Sequence, residues 1–227
     1  MAIKVACFNY KGGVGKTTWA IILTQIALTG NKKMKKSKET VVAFDLDGQQ
    51  NLTSSISYLE KDSNYKDFFT LRQDQLSRED FDSVKADWLI IDCPASFDES
   101  TLALKNADFV FIPVIANLNA VDFLLRIKEV AGNNKELFQF PIVKVGFNSA
   151  SIITVNKVNQ AIIDMGFSTS VIGQTPHYEL ITKNLFSDLK KWWCVGLSAT
   201  QREPFENIYV ELLQRYKQLC AMRKDNN

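Results

Sequence analysis

The segment Asn9-Tyr10-Lys11-Gly12-Gly13-Val14-Gly15-Lys16-Thr17-Thr18 follows an apolar run, Ile3 to Phe8, and opens a stretch of helical period. Small residues at a strand-to-helix junction let the backbone curl, so that successive N–H groups and the helix N-terminus point at one negative charge. A lysine at the tip of such a loop has no packing role. Lys16 therefore reads as the group that reaches the β- and γ-phosphates of a nucleotide, with the Thr17 hydroxyl on a magnesium ion. The alternative, a plain glycine-rich turn into a helix, leaves Lys16 without a purpose.

A phosphate loop after the first strand predicts an α/β chain, and the rest of the sequence agrees. Short runs rich in Ile, Val and Phe recur at Ile3 to Phe8, Val41 to Phe44, Trp88 to Ile91, Phe109 to Val114 and Ile142 to Phe147. They read as strands covered on both faces, and the segments between them are long enough for crossover helices. Helices are expected at about Gly15 to Leu28, Asn51 to Leu59, Asp98 to Lys105, Ala120 to Val130, Val155 to Met165 and Phe205 to Met222. In the last, Ile208, Leu212, Leu213, Tyr216, Leu219 and Cys220 share one face. Residues 60–87 are polar with weak periodicity and give no firm pattern.

The 227 residues are expected to form a single domain, residues 1–227, with no helix-turn-helix domain before it. A net charge of +2 does not make nucleic acid the default partner, so any basic surface must be local. Cys7, Cys93, Cys194 and Cys220 are widely separated and His177 is the sole histidine, which fits neither a zinc ribbon nor a disulfide framework. With no leader-like start and no apolar run of membrane-spanning length, the expected location is the cytoplasm.

Tyr10 stands where an ordinary G-x-x-x-x-G-K-T loop has its first glycine, and a second lysine, Lys11, precedes the glycine pair. Lys-Gly-Gly-Val-Gly-Lys-Thr-Thr resembles the deviant Walker A box of the ParA/MinD family of ATPases. The resemblance implies a doubly wound, mostly parallel sheet with helices on both faces, a P-loop NTPase fold. It also implies ATP and Mg2+ as cofactors, bound by Lys11, Gly12, Gly13, Val14, Gly15, Lys16, Thr17 and Thr18. Lys11 is implied to cross the interface of an ATP-sandwiched homodimer and touch the phosphates held by the other subunit.

Phe44-Asp45-Leu46-Asp47-Gly48-Gln49-Gln50-Asn51-Leu52-Thr53 looks like the family's D-x-D-P-Q-x-N-x-T segment, with Gly48 in place of the usual proline. By that likeness Asp45 lies near the hydrated magnesium and Asp47 positions the attacking water, whereas the residues alone are also consistent with an Asx-turn. Trp88 to Pro94 resembles a Walker B strand that delivers Asp92 to the magnesium shell. Metal ligands are thus expected at Thr17, Asp45 and Asp92, and catalytic roles at Lys11, Lys16 and Asp47. Asn148 and Pro176 stand where the family reads and covers the adenine base, next to His177 where the family often has arginine. A strand-end turn and a surface loop are the alternatives there.

The family's parts imply a switch: ATP closes a dimer, the dimer binds a large surface, and a partner triggers slow hydrolysis. Lys183, Lys190 and Lys191 are candidates to bind nonspecific DNA, and Lys32, Lys33, Lys35, Lys36 and Lys38 form a second cluster that also reads as a solvated loop. The mixed charge of the last helix makes a poor membrane anchor. The favoured expectation is a plasmid partition ATPase, associated with the nucleoid and working with a centromere-binding adaptor protein, with no integral membrane association. A MinD-like membrane or cargo-positioning ATPase, an ATP-dependent metabolic enzyme of the same fold and a non-hydrolysing binding module remain open.

Overall fold

The computed structural model describes residues 2–29, 39–56, 68–72, 77–115, 142–145, 152–164, 171–175, 179–186 and 194–225, together with Asp122, Leu125, Arg126 and Glu129. The strands are β1 Ile3–Cys7, β2 Val41–Asp45, β3 Phe68–Arg72, β4 Trp88–Asp92, β5 Phe109–Phe111, β6 Val114–Ile115, β7 Ile142–Val145 and β8 Val171–Thr175. The helices are α1 Lys16–Thr29, α2 Asn51–Ile56, α3 Arg78–Ser83, α4 Phe97–Asn106, α5 Ile152–Asp164, α6 Glu179–Phe186 and α7 Ala199–Asp225. Five strands pair in the order β3-β2-β4-β1-β5, and three more in the order β6-β7-β8. Every pairing among the described strands is parallel.

Alternate strand residues go to opposite faces, and both faces are buried, which is why the strands read as continuous apolar runs. Ile3, Val5 and Cys7 join Val41, Ala43, Trp88 and Ile90 under α1, α6 and α7. Ala6 and Phe8 join Val42, Phe44, Leu89 and Ile91 under α3, α4 and α5. Trp19 of α1 packs on Phe111 at 4.9 Å and Phe205 at 5.4 Å between ring centroids, tying the first helix to the last.

Several boundaries differ from the sequence reading for identifiable reasons. The run Phe109 to Val114 is two strands, β5 and β6, because Pro113 lacks the N–H that a continuous ladder needs. The last helix begins at Ala199, and Pro204 lies inside it. Its first turn forms upstream of the proline, where Ser198 Oγ accepts from Gln201 N–H at 3.3 Å and Gln201 Oε1 accepts from Ser198 N–H at 2.9 Å. The apolar face is as expected where described, with Ile208, Leu212 and Leu213 buried and Tyr216 packed against them.

β3 and α3 occupy the stretch that had no clear period. Phe68-Phe69-Thr70-Leu71-Arg72 does not alternate, and α3 has only six residues. A signal for α3 was present: the Asp80 carboxylate accepts from the Ser77 backbone N–H at 2.6 Å and from its hydroxyl at 2.9 Å, a capping arrangement that Ser-x-x-Asp announces. β8 and α6 were also unanticipated. Most of the helix expected over Ala120 to Val130 lies outside the described residues.

At the end of the sheet opposite the phosphate loop, the buried Glu39 carboxylate accepts from Trp88 Nε1 at 2.8 Å and from the Tyr209 hydroxyl. Trp88 and Tyr209 stack with centroids 5.0 Å apart. One acid thus joins the start of β4 to α7.

Candidate nucleotide-binding site

The parallel register brings three strand ends side by side: Cys7 of β1 faces Asp92 of β4, and Asp92 faces Asp45 of β2. β4 lies between β1 and β2, so the chain leaving β1 and the chain leaving β2 flank a crevice at the carboxyl ends of the strands, the position where open α/β sheets bind ligands.

The loop from β1 to α1 is held from below. Asn9 Nδ2 donates to Pro113 O at 2.8 Å, and Asn9 Oδ1 accepts from Lys11 N–H at 3.0 Å. Sequence reasoning did not assign Asn9 this role, although an Asn placed immediately after a strand is a usual turn former. Gly13 and Gly15 have φ of 73° and 97°, which L side chains resist, so the fold itself requires glycine at both. Gly12 is different: it is exposed and a Cβ there would meet nothing within 4 Å. The fold alone does not ask for glycine at 12, and its backbone is left open to a close approach.

Lys16 is 7% exposed and donates from Nζ to Lys11 O at 3.4 Å. That single long bond leaves most of its donor capacity directed into the loop. Asp92 is fully buried and neither carboxylate oxygen has a hydrogen-bond partner among the described residues. Burial pushes its pKa up to about 7, with Asp45 and Asp47 adding to the rise, while the Thr17 hydroxyl and Lys16 oppose it. The hydroxyl approaches without closing a hydrogen bond of ordinary geometry. Asp45 is also raised, chiefly by burial, although its Oδ2 accepts from Thr53 N–H at 2.8 Å and Thr53 Oγ1 at 2.9 Å and its Oδ1 from Asp47 N–H at 3.3 Å. Asp47 is half-buried and its Oδ1 accepts from Gln49 N–H at 3.0 Å, an Asx-turn geometry in which the second oxygen has no hydrogen bond among the described residues.

An unpartnered buried carboxylate beside a lysine and a threonine hydroxyl fits a hard divalent cation, which takes oxygen ligands and usually keeps several waters and phosphate oxygens. Among the described residues no group of three or more His, Cys, Asp or Glu side chains gathers for a metal. Cys7 and Cys93 are buried free thiols whose pKa values burial raises, and neither is a candidate nucleophile.

The structure thus brings together Lys11, Lys16, Thr17, Asp45, Asp47 and Asp92. It places Lys183 on α6, exposed. Asn148, Pro176, His177, Lys190, Lys191 and the cluster Lys32, Lys33, Lys35, Lys36 and Lys38 lie outside the described residues.

This crevice, with its glycine loop and strand-end acids, defines a P-loop nucleotide-binding fold. Residues 2–79, which hold both the loop and the Asp45–Thr53 segment, match the AAA domain family model. No curated protein matches the chain. The chain is similar to the solved structure of Cyanothece McdA (20% identity, 93% of this chain and 100% of that one, TM-score 0.70). It is also similar to a plasmid partition protein of Borrelia burgdorferi bound to AMPPNP (19%, 95% and 100%, TM-score 0.68). MinD in the MinC:MinD cell division complex of Aquifex aeolicus is comparable (16%, 94% and 96%, TM-score 0.68). The fold is that of the ParA/MinD-type P-loop ATPases.

Proposed function

We propose that the chain is an ATP-dependent dimeric switch of the ParA/MinD type that hydrolyses ATP slowly and drives partition of a plasmid or other DNA. The observation that carries the nucleotide reading is the pairing of an open glycine loop with a buried, unpartnered Asp92 carboxylate beside Lys16. In this reading Gly12, Gly13, Val14, Gly15 and Thr18 cradle the phosphates, Lys16 holds the β- and γ-phosphates, and Thr17, Asp45 and Asp92 serve Mg2+. The ion, once bound, screens charge on the phosphates. Asp47 orients water with its free oxygen, and Lys11 acts across the dimer, where a cation arriving from a second subunit neutralises charge only on assembly. Asn148 and Pro176 contact the base.

The DNA reading is supported by the likeness to a plasmid partition protein and by exposed Lys183. With Lys190 and Lys191 it supplies a sequence-blind phosphate contact. The protein acts as one domain over residues 1–227, in the cytoplasm on the nucleoid, with a centromere-binding adaptor stimulating hydrolysis. Binding to nonspecific duplex DNA is the test, with ATP, ADP or no nucleotide across a salt series. ATP-dependent, salt-sensitive binding is expected. Absence of binding in every state removes the partition reading and leaves the nucleotide site standing.

The equal TM-score of the Aquifex MinD structure favours a second reading, ATP-dependent positioning on a membrane or cargo. Among the described residues no helix is long and apolar enough to cross a membrane. Flotation with anionic liposomes and ATP separates the two readings.

A further inference from the structure

Between the two anchored residues Asn9 and Lys11, one side chain turns away from the phosphate loop. The Tyr10 ring stacks on Phe97, with centroids 6.2 Å apart and planes at 25°, and meets the edge of Phe8 at 5.2 Å and 71°. Phe8 and Phe97 complete the cluster at 6.2 Å and 74°. Phe97 is the first residue of α4, whose N-cap Ser96 accepts from Glu99 N–H. Three rings thus join the loop that follows β1 to the segment that leaves Asp92.

The Tyr10 hydroxyl is shut away from solvent and has no hydrogen-bond partner among the described residues. A buried hydroxyl with no partner is costly unless another state of the protein supplies one. The residue that follows Phe97 is a carboxylate, Asp98, in the first turn of α4. Burial raises the pKa of the phenol, and the charge of Asp98 raises it further. Asp98 is exposed.

We propose that Tyr10 is a positioning residue that transmits the state of the phosphate loop to the first turn of α4, its ring holding Phe97 and its hydroxyl donating to the Asp98 carboxylate once the loop has closed on a nucleotide. The inference rests on the nucleotide reading above. Tyr10 lies inside the turn closed by the bond from Lys11 N–H to Asn9 Oδ1, so a loop that rearranges around phosphates carries the Tyr10 side chain with it. An O–H bond to a carboxylate is among the stronger neutral-to-charged pairs. The exposed residues Ala95, Asp98 and Glu99 then differ between the empty and loaded states, which any partner that senses nucleotide requires.

Hydrogen exchange on the full chain, with and without saturating AMPPNP and magnesium, tests this. In the wild-type protein the nucleotide should slow exchange of the amides at 97–102 several-fold. Tyr10→Phe keeps the ring and loses the hydroxyl, so it should melt no lower than wild type, bind AMPPNP and lose most of that slowing. Asp98→Ala should lose the same part, and the double variant no more than either alone. A full wild-type response in Tyr10→Phe, or additive losses in the double variant, overturns the proposal. So does a wild-type protein that binds AMPPNP with unchanged exchange in α4, which leaves the nucleotide site intact. Failure of the wild-type protein to bind AMPPNP overturns the nucleotide reading itself, and the coupling with it.

Discussion

Three glycines of the turn-rich segments do different work, and the difference is testable one residue at a time. Gly13 and Gly15 adopt left-handed φ and cannot be replaced without strain. Gly48, where the related pattern has proline, is exposed, has no such φ, and a Cβ there meets nothing within 4 Å. Gly48→Ala is therefore expected to raise stability by about 0.4–1 kcal/mol by restricting the unfolded chain, seen as a higher urea midpoint with an unchanged slope. A lower midpoint would mean that the Asp47–Gln50 turn needs a backbone freedom not evident in its geometry. Tyr209→Phe tests the other end of the sheet. It removes one donor from the buried Glu39 carboxylate, and loss of a hydrogen bond to a charged group costs about 1.5–3 kcal/mol. Urea unfolding followed by tryptophan fluorescence measures it; an unchanged midpoint would show that the acid is satisfied without Tyr209.

At the scale of elements, the packed strand ends of β2 and β4 make the empty protein sensitive to pH. Asp92 has its folded pKa pushed from 3.8 to about 7, so between those values the folded state holds a proton that the unfolded state has released. Stability from this group is complete below about pH 4 and is lost as pH rises through about pH 7. Asp45, also raised, acts in the same direction. Melting temperatures in chelator-containing buffer are expected to fall across that window, and Asp92→Asn should flatten the fall and stabilise the empty protein at alkaline pH. Magnesium with nucleotide should flatten it too, since a cation favours the charged carboxylate. A wild-type slope in Asp92→Asn would place the titration elsewhere. The strands that carry these acids were legible because both faces are buried and their apolar runs are unbroken. β3 and β8 were not, since neither alternates apolar and polar residues, and the place of each in its sheet comes from pairing with distant strands.

For the whole molecule, the proposed switch predicts a change of mass. Asp47→Ala, retaining the glycine loop and losing the oxygen proposed to orient water, should accumulate as an ATP-bound dimer of doubled mass by light scattering. Lys11→Ala should bind nucleotide and fail to form that dimer or to turn over ATP. A monomer under saturating ATP in Asp47→Ala argues against assembly around the nucleotide, and normal turnover in Lys11→Ala argues against a role across the interface.

The order of motifs along the chain determined the class of fold and singled out the glycine loop and the strand-end acids, because a glycine-rich strand-to-helix turn, two strand-end acids and strand-length apolar runs are local patterns written in consecutive residues. Only the tertiary structure set β4 between β1 and β2, so that Asp92 meets both Cys7 and Asp45 in register. It alone left the Asp92 carboxylate buried without a hydrogen-bond partner among the described residues and stacked Tyr10 on Phe97 across 87 positions of sequence. Such facts depend on burial and on long-range strand order, which sum contributions from residues far apart and leave no trace in any short window of sequence.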